Sequence, residues 1–126
     1  DICKEHGIKH GYIPMCVGSL TMARIIYAIP DDKAPINFAY CDPVNIEGPL
    51  ELLYTQGLIG MEDTGEASVH FHILVSDKNM KVYGGHLTEG GNIVAATAEI
   101  IIHEIEGGEN IRQFDQDTGF RLFKIK

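Results

Sequence analysis

Three histidines near the middle of the chain are spaced as the ligands of a metal ion would be. His70 and His72 alternate with apolar residues along Val69–Val75, and His86 follows two consecutive glycines. Three neutral imidazoles are the usual ligands of an open zinc site, whose fourth position is left for water or a substrate. The pattern predicts that His70, His72 and His86 bind one divalent metal ion, with zinc favoured over other ions that accept imidazole nitrogen. The alternative is a solvated or hydrogen-bonded histidine face without an ion.

The elements that must position these histidines are the two strands of a β-hairpin. Alternation of apolar residues with histidines is typical of a half-buried strand. If the loop is Lys78–Met80, Val75 lies opposite Tyr83 and His72 lies opposite His86, and opposed residues share a face. A slip of one residue would turn the apolar side chains of the second strand away from the core. The apolar pattern therefore selects the register that gathers the three histidines on one face.

The same residues carry a resemblance to a known family. The segments His70-Phe71-His72, Gly84-Gly85-His86-Leu87 and Glu89-Gly90 resemble the His-x-His and Gly-Gly-His-Leu-x-Glu-Gly signature of the plants and prokaryotes conserved (PPC) domain, in its prokaryotic stand-alone form. The resemblance extends over nearly the whole chain. It implies a compact α+β homotrimer that carries a provisional DNA-binding label. It also implies a fold similar to that of acetolactate decarboxylase, a zinc enzyme with three histidines.

The expected architecture is α+β, with a mainly antiparallel, strongly twisted β-sheet, one or two helices and a homotrimeric assembly. Residues 1–126 are expected to form a single PPC-type domain, with a compact core over 1–106. The C-terminal segment 107–126 is expected to pack on that core or on a neighbouring subunit. Residues 1–6 are predicted to be the end of a helix stopped by Gly7, which indicates that earlier residues precede the chain.

Glycines and apolar runs predict where the strands of the sheet begin, end and pack. Strands are predicted at Ile8–Val17 and Thr21–Ile29, with a turn at Gly18 between them. Asn92–Ile105 is predicted to be a central strand covered on both sides, because apolar residues occur on both of its faces. Glu99 would then be a buried carboxylate in need of a partner. The paired glycines around His86 predict a close approach of a second backbone, which in a trimer would belong to a neighbour.

Charge limits the partners that the chain can bind. Its 126 residues carry a formal net charge of −8, whereas DNA binding depends on Lys and Arg that neutralise phosphates. The basic residues are scattered except near the C-terminus, where aspartates interrupt them. DNA is therefore a partner implied by the resemblance and disfavoured by charge. Its predicted contacts are Arg112, Arg121 and Lys124, with Lys126 nearby.

Compartment and membrane association can also be predicted from the sequence. The chain has no apolar run long enough to span a bilayer and no visible secretory leader. Its three cysteines lack Cys-x-x-Cys spacing, which fits a reducing cytoplasm. We therefore expect a cytoplasmic protein without a membrane partner.

The sequence is compatible with two functions of different classes. The first is a trimeric PPC-domain protein of the DNA-binding type with a three-histidine metal site, whose molecular activity is undefined. The second is a small zinc-dependent lyase or hydrolase acting on a small polar molecule, because an open metal site polarises a carbonyl or activates water. Glu89, three residues after His86, is the candidate for proton transfer or for orienting a ligand histidine.

Overall fold

Nine strands and one short helix make up the described part of the chain. The structure is a computed structural model that describes residues 2–126. The elements are α1 Ile2–Glu5, β1 Gly11–Ile26, β2 Ala28–Pro30, β3 Phe38–Tyr40, β4 Val44–Glu62, β5 Ala67–Ser76, β6 Val82–Leu87, β7 Ile93–Glu104, β8 Asn110–Phe114 and β9 Arg121–Ile125. The predicted twisted, mainly antiparallel sheet is confirmed. In the described range the helix is four residues long, far too short to cross a membrane.

Seven strands form one sheet whose pairings close on themselves. The strand order is β7-β1-β6-β5-β4-β8-β9, and β1 also pairs with β4. The pairs β1–β4, β4–β5, β5–β6 and β6–β1 are all antiparallel, so these four strands form a closed circuit. The circuit closes where Ile25 and Ile26 of β1 pair with Leu87 and His86 of β6. Strand β6 is therefore held by hydrogen bonds on both of its edges.

The hydrophobic core is formed by the long strands of this circuit. Side chains of β1, β4 and β5 supply its buried apolar residues, and Tyr83 and Leu87 of β6 pack against them. On β5, Ile73 and Val75 are buried as the alternation predicts, whereas Val69 at the start of the strand is 49% exposed. The buried apolar members are Cys16, Leu20, Ala23, Ile25, Ile46, Leu50, Leu52, Ile73 and Val75.

One long strand replaces the two strands predicted near the N-terminus. Strand β1 continues through Gly18, so the predicted turn there is wrong. Gly18 lies between Leu52 of β4 and Ala98 of β7, and a Cβ at this position would collide with the carbonyl of Thr97. The glycine therefore marks a close approach of two strands and not a change of direction. The predicted helix stop at Gly7, by contrast, agrees with its φ of 72°.

The apolar run near residue 100 is a strand, but it lies at the end of the sheet. Strand β7 pairs with β1 and is the terminal strand on that side. Its side chains are exposed almost throughout, so the prediction of a central strand covered on both faces is wrong for the single chain. Glu99 is exposed as well, and its carboxylate needs no buried partner. The sequence pattern shows that these residues are apolar but not what covers them.

The C-terminal strands attach to the same chain. Strands β8 and β9 form an antiparallel hairpin, and Ile111 of β8 pairs in parallel with Met61 at the end of β4. Asn110 is fully buried and donates hydrogen bonds from its amide nitrogen to the carbonyls of Gly11 and Ile59. This attachment places the next residues of β8 beside the start of β5.

Candidate metal centre

Three histidine rings converge on the face of β5 and β6 opposite the core. The Nε2 atoms of His70 and His72 are 3.0 Å apart. The ring centroid of His86 lies 4.7 Å from that of His70 and 5.6 Å from that of His72. One nitrogen from each ring lies within 4.8 Å of the other two. Nitrogens bound to a tetrahedral zinc ion are roughly 3.3 Å apart, so small ring rotations would bring the three to that spacing.

The hairpin predicted from the sequence is what positions the rings. His72 pairs directly with His86, which confirms the predicted register. The loop is held by Asp77, whose backbone N–H donates to the carbonyl of Lys81. Its carboxylate also accepts hydrogen bonds from the N–H groups of Asn79 and Lys81. These loop contacts fix the strand offset on which the convergence of the histidines depends.

Glycines allow the strands of the centre to approach closely. A Cβ on Gly85 would lie 2.7 Å from the carbonyl oxygen of Ile26, and a Cβ on Gly57 would collide with the ring of Phe71. The close backbone approach predicted beside His86 is therefore present, but at Gly85 the second backbone is β1 of the same chain. The glycine lets β6 close the circuit immediately before its histidine.

Burial keeps two of the rings neutral near pH 7. Removal from water lowers the pKa of His70 from 6.5 to about 4, and the charges of His86, His72 and Arg112 act in the same direction. Burial is also the largest cause of the lowered pKa of His86, followed by His72 and Arg112. A histidine must be neutral to bind a metal ion. The environment therefore favours the protonation state that a ligand requires.

A buried ring nitrogen of the cluster lacks a partner. Within residues 2–126, Nδ1 of His86 is inaccessible to solvent and has no hydrogen-bond partner. Buried polar atoms are nearly always paired, so each exception calls for an explanation. A metal ion is a partner that an imidazole nitrogen accepts. The donor set and its spacing fit a divalent ion.

A cavity of about 1030 Å³ opens beside His86. Its wall includes Glu89, the residue predicted to move protons or to orient a ligand histidine. Glu89 is exposed and is not one of the three converging ligand groups. Its position in the wall would allow it to act on a molecule in the cavity, so its role stays a prediction.

Two of the three basic residues predicted to contact nucleic acid are ion-paired within the chain. Arg121 pairs with Glu62 at 2.8 Å and also with Asp63, and Lys124 pairs with Asp115 at 3.2 Å. These exposed pairs reduce the positive charge that the C-terminal hairpin presents to a polyanion. The predicted role in DNA binding is not tested by these contacts.

The third basic residue lies beside the histidine cluster. Arg112 donates from Nη1 to the hydroxyl of Ser68 and to the carbonyl of Val69, which directly precedes His70. It also lines the cavity that His86 borders. Sequence reasoning missed this position because the parallel pairing of β8 with β4 joins distant segments, and no local pattern signals it.

Comparison with known proteins identifies the family. A sequence model of the Plants and Prokaryotes Conserved (PCC) domain matches residues 1–106. This chain belongs to the PCC domain family. The resemblance based on the His-x-His and Gly-Gly-His-Leu segments is thereby confirmed. No curated protein matches the sequence.

Solved structures of other proteins share the PCC fold of this chain. A metal-containing protein from Archaeoglobus fulgidus is 28% identical, with a TM-score of 0.78 over 98% of this chain and 79% of that one. A plant- and prokaryote-conserved protein from Pyrococcus horikoshii is 29% identical, with a TM-score of 0.75 over 98% and 78%. A protein from Ralstonia eutropha JMP134, provisionally described as DNA-binding, is 20% identical, with a TM-score of 0.79 over 99% and 79%. The last comparison shows the fold alone.

In the metal-free protein, we expect the ring of His70 to take up its proton near pH 4, because burial and neighbouring positive charge oppose protonation. Proton NMR of the ring during a pH titration with a chelator present measures this, and the spectrum of His70→Gln assigns the signal. A midpoint near the ordinary value of 6.5 would contradict the described burial.

The lowered pKa of His70 also makes the free energy of unfolding depend on pH. The unfolded chain takes up this proton near 6.5, whereas the folded chain does so only near 4. The unfolded state therefore binds more protons between these values, and the free energy of unfolding falls as the pH is lowered through that window.

Proposed function

We propose that this PCC domain binds one divalent metal ion through His70, His72 and His86, and that the ion acts on a small molecule in the adjacent cavity. The observation that carries the proposal is that one ring nitrogen from each histidine lies within 4.8 Å of the other two. Zinc is the favoured ion, because three imidazoles with an open position match its usual site. The Archaeoglobus fulgidus relative, described as metal-containing, supports a metal in this fold.

The residues of the chain supply positioning and protonation control. The β5–β6 hairpin holds the rings, and burial keeps His70 and His86 in the neutral form. The ion would supply Lewis acidity toward a bound carbonyl or water. Glu89 is the proposed group for proton transfer, because it lines the same cavity as His86.

The cavity favours a second candidate within this proposal, a zinc-dependent lyase or hydrolase acting on a small polar molecule. A volume of about 1030 Å³ beside a ligand histidine leaves room for a substrate and water. Ligand sites are concave and present a few converging polar groups. A metal-binding domain without catalysis requires the histidines alone, whereas the enzyme also requires this cavity.

Duplex DNA is the weaker proposal for a partner. Two PCC-fold structures are of proteins provisionally described as DNA-binding. This chain, however, carries a net charge of −8, and Arg121 and Lys124 are ion-paired with carboxylates. Contacts from Arg112, Arg121 and Lys124 would be made to phosphates, so such binding would weaken steeply with added salt.

We also propose that the domain assembles as a homotrimer. The apolar side chains of β7 are the support for this, since Ile93, Val94, Ile100 and Ile101 are between 39% and 52% exposed in the single chain. Large exposed apolar patches are rare on monomers and mark interaction surfaces. A heterologous interface that closes after three copies would cover them.

A reducing, cytoplasmic location is proposed from the cysteines. Cys3, Cys16 and Cys41 are all free thiols. Cys16 belongs to the hydrophobic core, where burial raises its pKa and keeps it in the unreactive thiol form. Fractionation with a marker of the cytoplasm would test this location.

Metal titration tests the central proposal. We expect the chelator-treated protein to bind one zinc ion per chain, measured by calorimetry and by elemental analysis after dialysis. His72→Ala removes one of three ligands and should weaken zinc binding by about a hundredfold or more, since even groups that only support a ligand contribute about 10–100-fold. His6→Ala is the matched control, because His6 is exposed and lies outside the cluster.

Two results would contradict the metal proposal. The first is wild-type protein that retains no zinc after dialysis. The second is a His72→Ala variant that binds zinc as tightly as His6→Ala does.

Light scattering tests the assembly. We expect a mass three times the 13.9 kDa of the chain at micromolar concentration. Ile101→Lys should shift the mass toward a smaller species, because it places a charge in the proposed apolar interface. Ile125→Lys, at a 75% exposed position on β9, should leave the trimer intact. A monomer mass for the wild-type protein at this concentration would show the proposal to be wrong.

A further inference from the structure

Within residues 2–126, the guanidinium of Arg112 in the cavity beside His86 has only neutral hydrogen-bond partners. Arg112 donates from Nη1 to Ser68 Oγ and to the Val69 carbonyl, each at 3.3 Å, and from Nε to the Arg121 carbonyl at 3.3 Å. Among residues 2–126 it forms no ion pair, whereas neighbouring Arg121 is paired with two carboxylates. The positive charge of Arg112 is therefore not neutralised by a carboxylate in the described part of the chain.

The position of this charge is fixed and close to the proposed metal site. Arg112 is partly buried, and its guanidinium lies 5.7 Å from the ring centroid of Phe123. The hydrogen bond to Val69 attaches it to the residue that precedes His70. Arg112 and His86 line the same cavity. A ligand in that cavity would therefore be in reach of Arg112 and of His86, whereas the other two histidines of the cluster line a separate cavity of about 580 Å³.

We propose that Arg112 binds the carboxylate group of a small organic anion that occupies this cavity. The inference rests on the proposed metal site, because the ion supplies the second positive charge. The planar fork of a guanidinium matches the two oxygens of a carboxylate, and charge-assisted bonds of this kind are among the stronger hydrogen bonds in proteins. Arg112 thereby specifies the class of ligand that the metal site receives.

The other charges of the cavity limit the charge of the ligand. Glu62 is engaged by Arg121 and by the hydroxyl of Ser68. Glu66 and Glu89 are exposed in the cavity wall and would repel a multiply charged anion. A singly charged carboxylate is therefore favoured over phosphate, although a guanidinium fork accommodates both.

Cobalt-loaded protein provides the test, because the visible absorption of cobalt reports ligands that enter the site. We expect acetate to shift this spectrum at millimolar concentration. Arg112→Gln should weaken acetate binding roughly tenfold or more, the size expected for losing a hydrogen bond to a charged group. Neutral acetamide should bind equally to both proteins. Lys124→Gln is the matched control, since it removes a positive charge from the same hairpin but leaves the cavity wall unchanged.

A second variant separates loss of the ligand from loss of the fold. Arg112→Lys keeps the charge without the fork, and it should bind acetate with an affinity between those of Arg112→Gln and the wild type. Cobalt affinity and the melting temperature of each variant show whether the histidine site is intact. Arg112→Gln that binds cobalt normally but acetate weakly would support the inference.

The cobalt experiment gives different results if the metal site is wrong and if the role of Arg112 is wrong. Protein that takes up no cobalt overturns the proposed function, and the inference with it. Protein that takes up cobalt but whose spectrum is unchanged by acetate, or whose acetate affinity is the same in Arg112→Gln, overturns the inference alone. Inorganic phosphate that binds more tightly than acetate would show that the ligand class is wrong.

Discussion

The pairing of His72 with His86 is the constraint on which the rest of the site depends. Side chains alternate between the faces of a strand, so an offset of one residue would move His86 to the core face and separate it from the other two rings. The offset is fixed at one end by the Asp77 loop and at the other by the pairing of Ile26 with His86. The convergence of the three histidines therefore depends on the closure of the β1–β4–β5–β6 circuit.

The wall of the cavity beside His86 contributes positive charge although the chain as a whole is acidic. The net charge is −8, yet the cavity wall contains Arg112, which forms no ion pair among residues 2–126, and His86, whose pKa is lowered by burial. A divalent ion bound by the histidines would add positive charge close to that of Arg112. Small anions would be attracted to this point, whereas a polyanion such as DNA would meet the acidic surface as a whole. The charge distribution thus favours a small ligand over a nucleic acid.

The parts of the fold that were predictable from sequence are those that local patterns determine. The alternation around His70 and His72 and the hairpin register are properties of neighbouring segments, and the structure agrees with both. The continuation of β1 through Gly18 was missed because glycine signals both turns and close strand contacts. The exposure of β7 was missed because its apolar pattern does not reveal what covers it. The approach of Arg112 to Val69 was missed because it depends on a pairing between distant segments.

X-ray absorption spectroscopy of the zinc-loaded protein would identify the atoms that bind the ion. We expect three imidazole nitrogens at about 2.0–2.1 Å from zinc and one further nitrogen or oxygen ligand. Because the chain also contains three free cysteines, sulfur is a realistic alternative ligand. A zinc–sulfur shell at about 2.3 Å, or a zinc ion with fewer than three imidazoles, would contradict the assignment of His70, His72 and His86 as the metal centre.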